Sequence, residues 1–357
     1  MVELSRRGLL AALGGTAALL AAGEGSANAA ARTFPATVTR NRSLAAGRHR
    51  VPVGTAPVTH LSISTNSGAI RTRTAGQWSE WRELATCPAG RDDLPAVTLL
   101  PVDPGVVEYE LDLKHDSTVS EMDTVNGPAL ATLASPAPAV PLDGSALRRP
   151  YYSRAAWGAD EKLRFTPEGV ERWPVAYFPV QTLTVHHSAG SVGRDPAADV
   201  RAIYYDHSIV RDFGDIGYHL LIDPNGSVYE GRVSGSDWFP VFGPDLQGGK
   251  RPLMANAGHV VGYNAGNVGV CLLGHLSETS PSKAAIDSLV VVLAALSAIC
   301  GLDPLGRTNY VNPISGSTKT VDTISGHRDW LATECPGNRF YPDLPSIRTR
   351  VSKLLPK

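Results

Sequence analysis

A run of seven residues, Ser135-Pro136-Ala137-Pro138-Ala139-Val140-Pro141, constrains the architecture of this chain more than any other stretch. Each proline fixes its own φ and lacks an amide donor, so the run fits neither a helix nor the interior of a sheet. It carries no periodicity with which to bury a face, and residues 129–150 are expected to form an extended, semi-rigid linker. The 357 residues then divide into two units, each near the usual ~100–200 residues of a domain.

On the amino side, residues 34–128 read as strands. Val107, Tyr109, Leu111 and Leu113 alternate with Glu108, Glu110, Asp112 and Lys114, and His60-Leu61-Ser62-Ile63-Ser64 alternates likewise. Short alternating runs bounded by Gly, Pro or Asn predict an all-β, sandwich-like domain. Trp78 and Trp81 lie three apart after a glycine turn, where they serve either for stacking on sugar rings or for core packing. Nothing in this half carries catalytic chemistry.

The first thirty residues lie outside the fold. Ser5-Arg6-Arg7-Gly8-Leu9-Leu10 opens an Ala/Leu/Gly/Thr-rich run that extends to Ala22, and Ala27-Asn28-Ala29 supplies small residues for cleavage. This is similar to a twin-arginine export signal, with an ordinary signal peptide or an uncleaved anchor as the alternatives. The mature chain is expected to be secreted or wall-associated. The later apolar run from Leu289 to Cys300 is shorter than the ~20 residues that span a bilayer. A net charge of −1 provides no long-range field to recruit nucleic acid or an anionic membrane. Four cysteines in a chain of this length do not form a disulfide scaffold; Cys271 and Cys300 are read as two buried thiols or, alternatively, as one bridge.

After Tyr151 the pattern becomes mixed α/β, over residues 151–357. Val180 to His187 reads as a buried strand, and Asp195-Pro196 caps and starts a helix with Val200, Ile203, Tyr204 and His207 on one face. Tyr218 to Ile222 and Val228 to Gly231 read as a hairpin around Asp223-Pro224-Asn225-Gly226, and Val268 to Leu273 as a further strand. A long helix is expected with Ser280 as N-cap, Pro281 at its first position, a stripe of Ile286, Leu289, Val290, Leu293 and Leu296, and Gly301 beyond its end. The expected core is a sheet covered by helices.

Polar chemistry gathers at three places in this half. In Val185-His186-His187-Ser188, strand alternation puts His186 with Thr182 and Thr184 and sends His187 to the opposite face, so only one of the pair serves a given site. Tyr218 opens an apolar strand, where a fixed phenol can donate to a developing oxyanion. Gly326-His327-Arg328-Asp329 through Thr333-Glu334-Cys335-Pro336 holds an imidazole and a thiol eight positions apart, both good zinc donors. Each stretch alone is equally compatible with ordinary packing.

Taken in order, six blocks resemble the peptidoglycan-recognition-protein and type-2 N-acetylmuramoyl-L-alanine amidase family, in its secreted actinobacterial form. They are Tyr152-Ser153-Arg154-Ala155-Ala156-Trp157-Gly158-Ala159, Val185-His186-His187-Ser188-Ala189-Gly190, Asp215-Ile216-Gly217-Tyr218-His219-Leu220, Gly226-Ser227-Val228-Tyr229-Glu230-Gly231-Arg232, Val268-Gly269-Val270-Cys271-Leu272-Leu273-Gly274, and Ser325-Gly326-His327-Arg328-Asp329 through Thr333-Glu334-Cys335-Pro336-Gly337. The resemblance covers roughly residues 150 to 350. It implies a Zn2+ site held by His186, His327 and Cys335, with Tyr218 as the catalytic hydroxyl and Thr333 at a second catalytic position that is lysine in some relatives. It further implies metal-assisted hydrolysis of the amide between N-acetylmuramic acid and the L-alanine of peptidoglycan. Family members that only bind peptidoglycan commonly lack the cysteine, so Cys335 favours an enzyme over a recognition protein. A structural zinc site is a poorer reading, because it normally takes four protein ligands and three are identified here. The stretch from Ser234 to Met254, with Trp238, Phe239 and Phe242, is longer than the family's usual connection and is expected to be a groove wall, a lid or a surface loop.

Overall fold

The computed structural model describes residues 33–65, 67–84, 97–131, 151–190, 192–235, 240–243 and 252–355. The export signal, Cys87, Trp238, Phe239 and the proline-alanine run lie outside the described residues.

The amino-terminal part is built from two packed antiparallel sheets. One has the order Val38–Leu44, Ser117–Asp123, His60–Ile63, Thr98–Pro101; the other runs Gly47–Pro52, Val106–Leu113, Gly68–Thr74, Gln77–Trp78. Leu61, Ile63, Leu100 and Val119 from the first meet Val51, Ile70, Tyr109, Leu111 and Leu113 from the second in one buried cluster. Alternation therefore specifies the core, with two departures. Pairing against Gly68–Thr74 slips between Arg73 and Thr74, opposite Glu108 and Val106, and this bulge takes Val107 out of phase. Val106 is buried in its place and Val107 is 54% exposed. In His60–Ile63, moreover, every residue is buried, because the polar face meets the second half of the chain instead of water. The strand Ala129–Ala131 pairs with Thr33–Pro35, so the expected linker begins after three more residues of sheet.

Trp78 and Trp81 do not join that core. Both are half-buried on the outer face, with the Arg71 guanidinium 4.7 Å from each ring and Arg50 and Arg48 over Trp78 and Trp81 respectively. Cation–π contact, rather than burial in the interior, holds them.

The carboxyl-terminal part centres on a six-stranded mixed sheet in the order Tyr151–Tyr152, Val228–Glu230, Leu220–Ile222, Asn267–Leu272, Thr182–His187, Ile324–Gly326. The hairpin pair is antiparallel and all other pairs are parallel. Leu183, Val185, Val268 and Val270 point to one face, where the helices Lys283–Cys300 and Leu344–Ser352 cover them. The long helix starts at Lys283, not Pro281: Ser282 is the N-cap and its hydroxyl accepts from the Ala285 amide at 3.0 Å. Gly301, at φ 63°, takes the left-handed conformation that ends the helix. Length and composition would let this 18-residue helix cross a bilayer, yet 67% of it is buried in the fold, as suits a core helix. Leu293 is fully buried within it, and Leu293→Ala would cost about 2–5 kcal/mol by leaving a cavity.

The other face carries the Pro196–Tyr205 helix, capped by Asp195, whose carboxylate accepts from the Ala197 amide at 3.0 Å. Cys271 belongs to the cluster under this helix and Cys300 to the cluster on the opposite face, so the sheet separates the two buried thiols and no bridge joins them. Phe242 is 1% exposed and packs in the main core, which excludes it from a groove wall.

A candidate metal centre at the ends of parallel strands

His186 lies near the carboxyl end of the Thr182–His187 strand, and His327 directly follows the parallel neighbour Ile324–Gly326. Parallel pairing puts both carboxyl ends at the same edge of the sheet, where α/β folds place their ligands. Alternation along the strand directs His186 away from the helix-covered core of Leu183 and Val185, as expected from sequence.

Cys335 is returned to this edge by a closed loop. The Gly326 amide donates to Asp329 at 2.7 Å, and the Arg328 amide donates to the Cys335 carbonyl at 2.9 Å. The Arg328 guanidinium also bonds the Glu334 carbonyl, and the Tyr341 hydroxyl donates to Asp329. The Trp330 indole N–H reaches Thr184 at 2.9 Å and Ser325 at 3.0 Å, fastening the loop to the two strands that carry the histidines. Gly326 is required where it stands, since a Cβ would come within 2.8 Å of the Pro336 ring.

One donor atom each from His186, His327 and Cys335 lies within 4.8 Å of the others, and all three residues are fully buried. Sγ of Cys335 stands 3.6 Å from Nδ1 of His186. The His187 amide points at the same sulfur from 3.4 Å, a contact that favours thiolate over thiol. His187 itself is turned away: its Nδ1 accepts from the Leu276 amide at 3.0 Å, so only the first histidine of the pair serves the centre.

The distal nitrogen of His186 is held as well. Its Nε2 lies 2.9 Å from Nδ1 of His259, whose Nε2 in turn lies 2.9 Å from the Asn267 carbonyl. A carbonyl only accepts, so His259 carries its proton on Nε2, and its Nδ1 must accept from Nε2–H of His186. This relay leaves Nδ1 of His186 as the unprotonated atom facing Cys335. Burial, and after it the neighbouring His327, holds His186 well below the usual imidazole range; burial, and after it His219, does the same for His259. Two imidazoles and a supported thiolate fit a zinc ion by donor type and spacing. Sequence reasoning missed His259, a lone histidine in a loop without any periodic pattern.

Tyr218 packs its ring 5.3 Å from the ring of His186, beside the centre as expected. Thr333 is half-buried in the return loop, its hydroxyl oxygen accepting from the Cys335 amide at 3.2 Å. Below them, the wholly buried Asp215 accepts from Arg154 at 3.0 Å and Arg232 at 2.9 Å, and from the Ile216 and Val233 amides. Burial alone would raise this carboxyl, but the two guanidiniums outweigh it and the net shift is downward.

Comparison with known proteins identifies the family. A family model described as N-acetylmuramoyl-L-alanine amidase matches residues 176–338. The chain is 30% identical to peptidoglycan recognition protein 1 of Bos taurus over 192 residues, which cover 53% of this chain and 79% of that one. It is 26% identical to an N-acetylmuramoyl-L-alanine amidase of Mus musculus over 190 residues, 53% of this chain but only 29% of the mouse protein. Among solved structures, Drosophila PGRP-LB aligns over 55% of this chain and 92% of its own, with 25% identity and a TM-score of 0.39.

Proposed function

Because this chain belongs to the peptidoglycan-recognition-protein and type-2 N-acetylmuramoyl-L-alanine amidase family, we propose that it is a secreted, zinc-dependent hydrolase. Its substrate is peptidoglycan, cut at the amide between N-acetylmuramic acid and L-alanine. The observation that supports catalysis is the convergence of His186, His327 and Cys335 on one point, with Tyr218 beside them. Secretion rests on the paired arginines and the apolar run of the first thirty residues.

The donor set suits zinc, which when bound there supplies the Lewis acidity that polarises the scissile carbonyl and activates water near neutral pH. The protein's own residues prepare for that chemistry. His259 keeps His186 in the tautomer that presents Nδ1, and the His187 amide supports negative charge on Cys335. The Tyr218 hydroxyl donates to the oxyanion as it develops, a contribution worth about 10²–10³ in rate for a well-placed donor. Thr333 accepts an amide at its oxygen, and its hydroxyl proton is what it offers to the same side of the site. Two buried carboxylates near Tyr218 in the chain, Asp215 and Glu230, are not assigned as general base. Asp215 is enclosed by Arg154 and Arg232, and Glu230 accepts from the Tyr151 hydroxyl and the Arg154 amide.

A recognition protein that binds peptidoglycan without cutting it is the second reading, favoured by the recognition proteins among the relatives. Incubating the mature protein with peptidoglycan, with and without a chelator and with zinc restored, separates the two by mass spectrometry of the products. Zinc-dependent release of stem peptides with a free L-alanine amine is expected. Unchanged peptidoglycan from folded, zinc-loaded protein refutes the enzyme and leaves the recognition reading.

A further inference from the structure

The turn that leads into Tyr218 is held from both halves of the chain. The Pro196–Tyr205 helix runs on into a π-helical turn, Asp206–Val210, with the Arg211 amide bonded to the Asp206 carbonyl at 2.8 Å. Such turns hold an extra residue at a fold-dependent cost and persist where other contacts secure them. Here His207 is the residue that the turn presents inward. Its carbonyl accepts from the Phe213 amide at 2.9 Å, and its Nδ1 accepts from the Gly217 amide at 2.9 Å. Its ring packs against those of Phe213 and Tyr218, at 5.3 and 5.4 Å. Burial takes the imidazole down to about 3, so Nδ1 stays an acceptor at any working pH. Gly217 permits this approach, since a Cβ there would come within 3.2 Å of Nδ1 and 2.3 Å of the Gly258 carbonyl.

The amino-terminal sandwich supplies the other side of the clamp. Asp206 is fully buried, and its two carboxylate oxygens take the Ser62 hydroxyl and Nε of Arg211, the latter at 2.7 Å. Arg211 then bonds the Val97 carbonyl at 2.8 Å, back on the sandwich. Along the same helix Asp199 meets His60 at 2.9 Å and Arg201 bonds the Thr124 carbonyl at 3.0 Å. The polar face of His60–Ile63 is therefore spent on the element that carries His207.

We propose that His207 is a positioning residue for Tyr218, and that the sandwich holds it in place through Ser62, the Val97 carbonyl and the Asp206–Arg211 pair. On this inference the sandwich governs turnover without lending a group to the reaction. It rests on Tyr218 being the catalytic hydroxyl of the proposed function.

The test uses the full-length, zinc-loaded mature chain. His207→Leu removes the acceptor, whereas His207→Asn places an amide oxygen near the position of Nδ1; Ser62→Ala removes the sandwich's donor to Asp206. Turnover of peptidoglycan fragments and hydrogen exchange of the peptide containing residues 216–218 are measured for each. His207→Leu is expected to lower kcat at least tenfold with KM and zinc content within twofold of the parent, and to speed exchange at Gly217. His207→Asn recovers most of kcat, and Ser62→Ala gives a smaller loss of the same kind. Parental kcat and exchange in His207→Leu below its melting temperature overturn the inference, as does an equal loss in the Leu and Asn variants. Parental behaviour of Ser62→Ala overturns the sandwich's part in it. Should the parent chain itself release no stem peptide, the proposed function falls, and exchange at residues 216–218 alone decides whether His207 holds this turn.

Discussion

Replacing His259 with phenylalanine tests how the candidate centre is held together. The ring volume is kept, while the acceptor for Nε2–H of His186 disappears from 2.9 Å. His186 is fully buried, so its N–H loses its partner out of reach of water, at a cost of about 1–3 kcal/mol. The alternative tautomer avoids that cost only by placing the proton on Nδ1, the atom that faces Cys335. Either outcome penalises the zinc-loaded state, and at about 1.4 kcal/mol per factor of ten it weakens zinc binding roughly 5- to 150-fold. That range matches the ~10–100-fold typical of outer-shell partners of metal-bound histidines. The assay is zinc competition against a fluorescent chelator near neutral pH, on protein shown to be folded by its thermal transition. Parental zinc affinity in His259→Phe would refute the relay.

Cys335→Ser is expected to abolish zinc-dependent turnover while leaving muropeptide affinity largely intact, as measured by product analysis and calorimetry; full activity in that variant sinks the catalytic role. Asp215→Asn leaves Arg154 and Arg232 buried without their shared anion, and denaturant unfolding should show a loss of about 3–5 kcal/mol. Burial takes His207 to about 3 and His219 to about 4, so both stay neutral in the fold while the unfolded chain gains their protons below ~6.5. Stability is then complete above that value and falls as pH drops toward the folded values. Lowering pH to 5.5 costs about 1.4 kcal/mol per histidine, readable as a fall in Tm, and an unchanged Tm would refute their neutral burial. Arg71→Met removes two cation–π contacts and should cost about 1–2 kcal/mol in unfolding experiments while leaving turnover unchanged.

Most of the central sheet and its long helix were legible in the sequence, because hydrophobic period and caps act locally. Alternation split the pair, so that only one of His186 and His187 could serve the site; the family resemblance selected His186, and the Leu276 amide held by Nδ1 of His187 agrees. Contacts between distant segments were not legible in the same way. The polar side of His60–Ile63 reads as solvent-facing until Asp199 and Asp206 are seen to meet it. Val107 follows a perfect alternation that a bulge in its own strand, against Arg73 and Thr74, overrides. Ser282 rather than Ser280 caps the long helix: both are followed by helix-compatible residues, and only Ser282 reaches an amide inside it. His259 matters solely because folding sets it behind a ligand from another strand.

The candidate centre joins distant parts of the chain, with His186 and Cys335 standing 149 positions apart. That separation decides when the centre can exist. Closing so long a loop is costly until the sheet itself has paired, so the ion is unable to nucleate this fold as it does a zinc finger. A chain caught midway offers only His327 and Cys335, two donors in one loop. The complete set arrives when the Thr182–His187 and Ile324–Gly326 strands are in register. Under the proposed zinc-dependent function, uptake of the ion would wait for that last stage of folding and mark chains whose sheet is finished.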